Sequence, residues 1–310
     1  MNTDKKKKTA ASFSIISNIT LTVIKLFAGF YSGSLSIISE AIHSISDFFA
    51  SLITYISILK SSKPADSDHP YGHGKYEDMA GFIEGILIIL ASFFIIFEAA
   101  KKIISGTPAN NESILGIIVM GIAVITNILV SSLLFKVSKE SNSVALYADA
   151  QHLRTDIYSS LGVFAGLLLI KITKLAILDP IIAILVAVFI YKAGYGIMKR
   201  TWMNLLDHSL PDEDIKKIKD IVKATSPAKL KRNSIKTRQV GPSTDIDLIL
   251  QFPQDTTLCE CHKICDEIEN QIKNSFFNCS ISIHAEPTCY KKNCNKNCEN
   301  NSESEVSRKS

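Results

Sequence analysis

Six stretches of mostly apolar residues occupy the first two-thirds of this chain of 310 residues. They lie near residues 10–31, 35–59, 79–100, 114–135, 144–170 and 175–196. Each reaches the length of about 20 residues that an α-helix needs to cross the hydrocarbon core of a bilayer. The mean hydropathy of the whole chain is +0.19, a positive value that soluble proteins seldom reach. The pattern therefore predicts an α-helical membrane protein with six transmembrane helices.

The chain after residue 208 has a different periodicity and the charge content of a soluble domain. The segment PDEDIKKIKDIVKAT predicts an amphipathic helix, because its Ile and Val residues recur on one face. NSIKTRQV, TDIDLILQF and NCSISIHAEP alternate like strands, and a second helix is expected to begin at Thr256 or Thr257. The order αββαβ predicts a small two-layer α+β domain.

Four parts follow from these patterns. We expect a basic N-terminus over residues 1–9, a six-span domain over 10–207, an α+β domain over 208–290 and a tail over 291–310 that contains cysteines and is disordered.

Lysine and arginine are distributed unevenly between the predicted loops. If the N-terminus is cytoplasmic, that side of the membrane receives Lys5, Lys6, Lys7, Lys8, Lys60, Lys63, Lys75, Lys136, Lys139, Lys192, Lys199 and Arg200. The other side receives only Lys101, Lys102, Lys171 and Lys174. Because basic loops stay in the cytoplasm, both termini are expected there. We expect the protein to lie in the plasma or inner membrane of a cell. Lys5 to Lys8 are expected to act as an anchor at the surface of the lipid bilayer. The net charge of +4 reflects this topology and gives no support to nucleic-acid binding.

The second and fifth predicted spans each contain His-x-x-x-Asp, as His43 with Asp47 and as His152 with Asp156. An ionisable side chain in mid-membrane costs about 2.5–3.5 kcal/mol on insertion scales, so a doubled pattern indicates function. The spacing puts each pair on one helix face, and two such faces would form a tetrahedral site for a divalent metal. Polar contacts that only join helices are the alternative. We favour a metal transporter.

Further candidate ligands lie near these pairs and in the polar loop after the second span. Glu40 and Asp149 precede each His by three residues and could orient the imidazoles or act as alternate ligands. Asp66, His69 and His73 place three metal-type side chains within eight residues, although a solvated loop with capping histidines would show the same pattern.

All seven cysteines lie in the predicted cytoplasmic part, where free thiols are expected. None shows the C-x-x-C spacing of a zinc knuckle, so metal capture and incidental cysteines both remain open. The candidate thiol ligands are Cys259, Cys261, Cys265, Cys289, Cys294 and Cys298.

From about residue 10 to residue 290 the sequence resembles the cation diffusion facilitator family. The resemblance rests on SGSLSIISEAIHSISD, DSDHPYGHGKYE, YADAQHLRTD, LLDHSLPDED and KTRQVGPST. It implies a homodimer of six-span protomers with a cytoplasmic metallochaperone-like domain for regulation and dimerisation. It also implies export of divalent cations from the cytosol in exchange for protons.

The resemblance assigns roles to individual residues of this sequence. His43, Asp47, His152 and Asp156 fall on the transport site, and Asp66, His69 and His73 fall on the loop site. His262, His284 and Glu286 fall on the regulatory site of the cytoplasmic domain, where Asn233 replaces a histidine of some members and Glu286 a common aspartate. Lys75 and Asp207 match the charge interlock between protomers.

Two histidines and two aspartates are similar to the zinc-selective subgroup, and nitrogen ligands favour Zn²⁺ over the harder Mn²⁺ and Mg²⁺. Zn²⁺ is therefore the expected cargo and regulatory metal, with Fe²⁺, Cd²⁺, Co²⁺ or Mn²⁺ as alternatives. No enzymatic activity is expected, because an intramembrane metalloenzyme would need a motif such as H-E-x-x-H, which is not apparent. A membrane metal sensor that does not transport remains open.

Overall fold

A computed structural model describes residues 3–32, 35–105, 114–173, 178–225, 229–276 and 278–288 of the chain. The predicted tail over residues 291–310, with Cys294 and Cys298, lies outside the described residues, and so does Cys289. The chain divides into two compact units, Met1–His208 with Val240–Ser243, and Ser209–Gln239 with Thr244–Ser310.

The first unit contains six long α-helices. They are α1 (Thr3–Ser32), α2 (Leu35–Ser61), α3 (Lys75–Ser105), α4 (Ile114–Ser141), α5 (Val144–Thr173) and α6 (Leu178–Leu205). At about 1.5 Å per residue, even the shortest, with 27 residues, is longer than the roughly 30 Å hydrocarbon core. Among the described residues, α1, α3, α4 and α6 contain stretches long and apolar enough to cross a membrane. The helices α2 and α5 carry the His-x-x-x-Asp pairs, and the full count of six spans stays a prediction.

Large apolar side chains cover the outer faces of these helices. Phe27, Phe97, Leu129 and Phe189 are each more than 60% exposed. Such an apolar surface would be unfavourable in water but suits the acyl chains of lipids. The outer surface of the first unit therefore suits a lipid bilayer.

Small residues line the interior of the first unit and let its helices approach closely. Ala10, Ala11 and Ala145 are almost fully buried. A Cβ at Gly85 would lie 2.8 Å from the backbone nitrogen of Met198, so α3 and α6 pack backbone against backbone at this point. Close packing at small residues is a common way for membrane helices to associate.

The elements after α6 are α7 (Asp212–Thr225), β1 (Lys229–Val240), β2 (Ser243–Phe252), α8 (Leu258–Ser275) and β3 (Cys279–Pro287), and apart from Val240 and Ser243 at the ends of two strands they form the second unit. The strand order is β1-β2-β3, and β2 pairs with β3 in parallel. In this register Ile246 lies opposite Ile281 and Leu248 opposite Ile283. The α+β domain with the order αββαβ is thus confirmed.

One hydrophobic core joins the helices of this unit to its sheet. Its fully or almost fully buried members are Ile218, Val222, Ile246, Leu248, Leu250, Phe252, Ile268 and Ile272. The alternating burial of β2 explains the alternating sequence TDIDLILQF. Thr257, and not Thr256, caps α8, where its side chain and that of Glu260 form a capping box.

Candidate metal sites

The helices α2 and α5 bring together three of the four side chains predicted for the central site. Ligand atoms of Asp47, His152 and Asp156 all lie within 4.8 Å of one another. Nε2 of His152 is 3.2 Å from Oδ1 of Asp47. Asp47 and His152 are buried and Asp156 is half-buried. The side chain of His43 lies outside the described residues, so its part in this site stays a prediction.

The spacing of these atoms suits a tetrahedral metal ion. Ligand atoms that bind Zn²⁺ at about 2.0–2.2 Å lie roughly 3.3–3.6 Å apart around a tetrahedron. The separation of 3.2 Å between Nε2 of His152 and Oδ1 of Asp47 is close to that value. An imidazole nitrogen and two carboxylates supply three ligands, and a fourth side chain would complete the coordination.

Asp149, predicted to orient an imidazole, belongs to a buried polar network. Its Oδ1 accepts a hydrogen bond of 3.0 Å from the hydroxyl of Ser51. Ser51 is joined in turn to Ser14 at 3.1 Å and to the side-chain amide of Asn18 at 2.7 Å, both on α1. Asp149 thus contacts Ser51, and its predicted role in orienting an imidazole stays a prediction. The side chain of Glu40 is not among the described ones.

Glu84 is a buried carboxylate at the central site that the sequence analysis missed. It lies on α3 with no exposed surface. Its Oε1 accepts a hydrogen bond of 3.0 Å from Thr54 on α2, and its Oε2 lies 3.8 Å from Nδ1 of His152. The cost of a carboxylate inside the apolar run AGFIEGILIIL was the signal that could have revealed it.

A buried ion pair joins several helices at the end of the first unit where α1 begins. Nζ of Lys7 lies 2.8 Å from Oε1 of Glu77, and both side chains are almost fully buried. Ser61 donates to Oε1 of the same carboxylate at 2.9 Å, and Ser143 donates to Oε2. Lys7 was predicted to be a surface anchor, and that interpretation is wrong because Glu77 draws the ammonium into the helix bundle.

The loop between α2 and α3 brings Asp66, His69 and His73 together. Ligand atoms of the three lie within 4.8 Å of one another. Oδ2 of Asp66 is 3.4 Å from Nε2 of His73, and Oδ1 is 3.5 Å from Nδ1 of His69. The return of the chain uses Gly72, whose N–H donates to the carbonyl of His69 and whose φ of +81° favours glycine.

Backbone contacts orient two of these loop side chains. The N–H groups of His69 and Asp68 donate to Oδ1 of Asp66, and the His69 contact above all lowers the pKa of that carboxyl. Nδ1 of His73 lies 3.2 Å from the carbonyl oxygen of Pro64. A proton on Nδ1 satisfies this contact and leaves the lone pair of Nε2 for a metal.

Lys75 and Asp207, matched to the family's interlock between protomers, pair within one chain. Nζ of Lys75 donates to Oδ1 of Asp207 at 2.9 Å and to the carbonyl of Leu205 at 3.4 Å. Both side chains are partly exposed, and such a pair contributes little to stability by itself. Its role between protomers stays a prediction.

The candidate ligands of the second unit do not converge in the described part of this chain. His262 lies 3.6 Å from Asp266, whereas His284 lies 3.9 Å from Glu286, and both imidazoles are largely exposed. The side chain of Asn233 is not among the described ones. Among the residues that the structure describes, groups of three close metal-type side chains occur only at the central site and at the loop.

The described cysteines of α8 are free thiols. Cys259 is exposed, whereas Cys261 and Cys265 pack partly against the hydrophobic core. Burial raises the pKa of the Cys265 thiol, and nearby Cys261 raises it further. Burial also raises the pKa of Cys279. Because metals bind the thiolate, these shifts work against metal capture by Cys265 and Cys279.

Long helices with apolar outer faces define an integral membrane protein, and two carboxylates and an imidazole that lie close together between two of these helices are ligand types that suit a divalent cation. Comparison with known proteins agrees. A family model described as the cation efflux transmembrane domain matches residues 11–206, and one described as the cytoplasmic domain of cation efflux proteins matches residues 210–288. The chain belongs to the cation efflux family, whose members are transporters and not enzymes, which confirms the resemblance.

Several relatives match along most of this chain. The cation-efflux pump FieF of Shewanella oneidensis is 30% identical over 280 residues, which are 90% of this chain and 94% of the relative. An uncharacterised transporter of Synechocystis is 30% identical over 85% of each chain. FieF of Escherichia fergusonii is 30% identical over 86% of this chain and 88% of its own.

A solved structure described as the zinc form of CzrB is also similar in sequence. It is 27% identical over 27% of this chain and 97% of its own, with a TM-score of 0.23. So low a TM-score says nothing about the fold of this chain.

Proposed function

We propose that this transporter exports Zn²⁺ from the cytosol in exchange for protons. The observation that carries the proposal is the convergence of Asp47, His152 and Asp156 at one buried point between α2 and α5. His43, one helical turn before Asp47, would supply the fourth ligand. Two carboxylates and two neutral imidazoles would balance the charge of a divalent cation.

The mixed ligand set is the reason to choose zinc. Imidazole nitrogen suits Zn²⁺ better than Mn²⁺ or Mg²⁺, which prefer oxygen ligands alone. Tetrahedral coordination by histidine and carboxylate is also the ordinary geometry of zinc in proteins. Cd²⁺, Fe²⁺ and Co²⁺ can use the same ligands, so they are the competitors to test.

Competition between metal and protons would drive the transport cycle. Imidazole and carboxylate ligands bind metal only when they are deprotonated, so metal binding releases protons. Zn²⁺ would enter the central site from the cytoplasm, and small movements of the helices would then open the site to the opposite side. Protons from that side would displace Zn²⁺, and their release into the cytoplasm would reset the carrier.

The remaining predicted sites would regulate this cycle. Zn²⁺ held by Asp66, His69 and His73 would order the loop between α2 and α3. The αββαβ domain would join two copies of the chain into a homodimer, with Lys75 and Asp207 near the contact. Both termini would lie in the cytoplasm, and the protein would reside in the plasma or inner membrane.

Flux through purified protein in proteoliposomes tests the proposal. Vesicles should accumulate or release Zn²⁺ down its gradient, with protons moving in the opposite direction, as read by a zinc dye and a pH dye. A panel of Cd²⁺, Fe²⁺, Co²⁺ and Mn²⁺ measures selectivity, and Zn²⁺ should give the highest kcat/KM. Zinc flux without proton movement would refute the exchange, and stronger flux with another ion would refute the choice of zinc. Zinc binding without any flux would indicate a sensor.

A further inference from the structure

Two buried polar atoms face each other beside the central site, and neither has a hydrogen-bond partner among the described residues. They are Nδ1 of His152 on α5 and Oε2 of Glu84 on α3. The distance between them is 3.8 Å, and Glu84 has no exposed surface. A buried carboxylate oxygen and a buried imidazole nitrogen are each costly to leave unpaired, so their juxtaposition requires an explanation.

The position of Glu84 is held from a third helix. Oε1 of Glu84 accepts a hydrogen bond of 3.0 Å from the hydroxyl of Thr54, which is fully buried on α2. Thr54 lies seven residues after Asp47 in the same helix, which is two turns along the same face. This contact keeps Oε1 occupied and leaves Oε2 directed towards His152.

Metal coordination at the other nitrogen of His152 would complete this arrangement. Nε2 is the nitrogen that lies near Asp47, so a metal at the central site takes its lone pair there. The remaining proton of the neutral imidazole must then sit on Nδ1, where it needs an acceptor. Metal-ligating histidines almost always donate this proton to a carboxylate, a carbonyl or water, and the contact fixes the tautomer and the ring orientation.

The geometry points to Glu84 as the positioning residue for His152: its Oε2 accepts the Nδ1 proton when a divalent cation binds Nε2. This inference rests on the proposed function, and it deepens it, because it adds α3 to the helices that define the cation site. Thr54, Glu84 and His152 form a relay of contacts from α2 through α3 to α5. Glu84 acts through His152 and needs no direct contact with the metal.

Zinc binding by the purified full-length protein in detergent tests the role of Glu84. Zinc binding that is present in the wild type and absent in Asp156→Ala is assigned to the central site. In Glu84→Leu this binding should weaken by about 10–100-fold, the usual effect of losing such a partner. Glu84→Gln keeps an acceptor oxygen and should restore most of the affinity. Thr54→Val should give an intermediate loss, because it frees Oε1. Glu98 is an exposed carboxylate on the same helix, and the control variant Glu98→Gln should bind Zn²⁺ with the affinity of the wild type.

Kinetics in proteoliposomes separate positioning from a general structural role. Glu84→Leu should raise the KM for Zn²⁺ much more than it lowers kcat, and thermal unfolding in detergent should show that the variant is folded. Unchanged affinity in Glu84→Leu would overturn the inference. If Glu84→Gln loses as much zinc affinity as Glu84→Leu, the inference is also overturned. Glu84 would then act as a direct ligand of the metal or through its negative charge, and not as an acceptor for the Nδ1 proton.

The outcomes distinguish this inference from the proposed function. If the wild type binds Zn²⁺ but gives no flux, the proposed function fails, and the affinities of the Glu84 variants still decide the inference. If flux is normal and the Glu84 variants bind zinc like the wild type, only the inference fails. If Asp156→Ala removes no component of binding, both fail, because His152 then belongs to no central metal site.

Discussion

His152 and Asp47 meet in the interior of the first unit, with Nε2 of the imidazole 3.2 Å from Oδ1 of the carboxylate. The two residues are separated by 105 positions in sequence and lie on α5 and α2. Their contact brings one residue from each of the two His-x-x-x-Asp patterns to the same buried point.

Asp47→Asn should abolish most zinc binding at the central site without unfolding the protein. The amide fills the same volume and can still contact His152, but it is a poor ligand for Zn²⁺. We expect affinity to fall by at least the roughly 100-fold that loss of a supporting residue can cost. Competition titration with a zinc chelator measures this loss. Asp220→Asn, which changes an exposed acid on α7, is the control and should leave the affinity unchanged.

His43→Asp should broaden the choice of metal towards Cd²⁺. The substitution would replace a nitrogen ligand by oxygen and leave three carboxylates with one imidazole. The ratio of kcat/KM for Zn²⁺ and Cd²⁺ in proteoliposomes measures the change. A ratio equal to that of the wild type would remove His43 as the residue that discriminates between the metals.

Breaking the buried ion pair should destabilise the first unit strongly. Glu77→Ala removes the closer and buried partner of the Lys7 ammonium and leaves it only the partly exposed carboxylate of Asp4 at 3.6 Å, for a loss of about 3–5 kcal/mol in the free energy of unfolding. The double variant with Lys7→Ala should lose less than the two single effects summed, which a double-mutant cycle in detergent would show. The exposed pair of Lys6 and Glu140 is the matched control, and Lys6→Ala should cost less than about 1 kcal/mol.

Asp66 should stay ionised to a lower pH than an ordinary aspartate. Hydrogen bonds from the backbone of His69 and Asp68 lower its pKa from 3.8. Because the pKa is lower in the folded state, this carboxylate stabilises the loop fully above the unfolded value and loses that effect as the pH falls through the folded value. Carbon NMR of labelled Asp66 should show a midpoint below 3.8. A midpoint at or above that value would contradict the turn geometry.

Physical cost explains which site residues could be predicted from the sequence. His152 and Asp156 were recognisable because ionisable groups are expensive in an apolar helix and because their spacing repeats that of His43 and Asp47. Glu84 is also an ionisable group in an apolar helix, but it belongs to no His-x-x-x-Asp pattern that would mark it as a candidate ligand. Only the packing of α3 against α5 shows what it faces.

Contacts between residues that are far apart in sequence could not be predicted from local patterns. Lys7 has the sequence signature of a surface lysine, and Glu77, which buries it, is 70 residues away. In the second unit the αββαβ order followed from local periodicity and is confirmed. His262 and His284 depend on a tertiary approach that periodicity cannot predict, and the described residues do not bring them together.

Zinc flux by the Asp156→Ala variant tests the central claim most directly. The measurement compares the wild type, Asp156→Ala and the control Asp220→Ala, each reconstituted as the full chain and checked for its oligomeric state in detergent. We predict that zinc uptake and the linked proton movement are lost in Asp156→Ala and preserved in Asp220→Ala. Zinc flux in Asp156→Ala near that of the wild type would contradict the assignment of Asp47, His152 and Asp156 as the transport site.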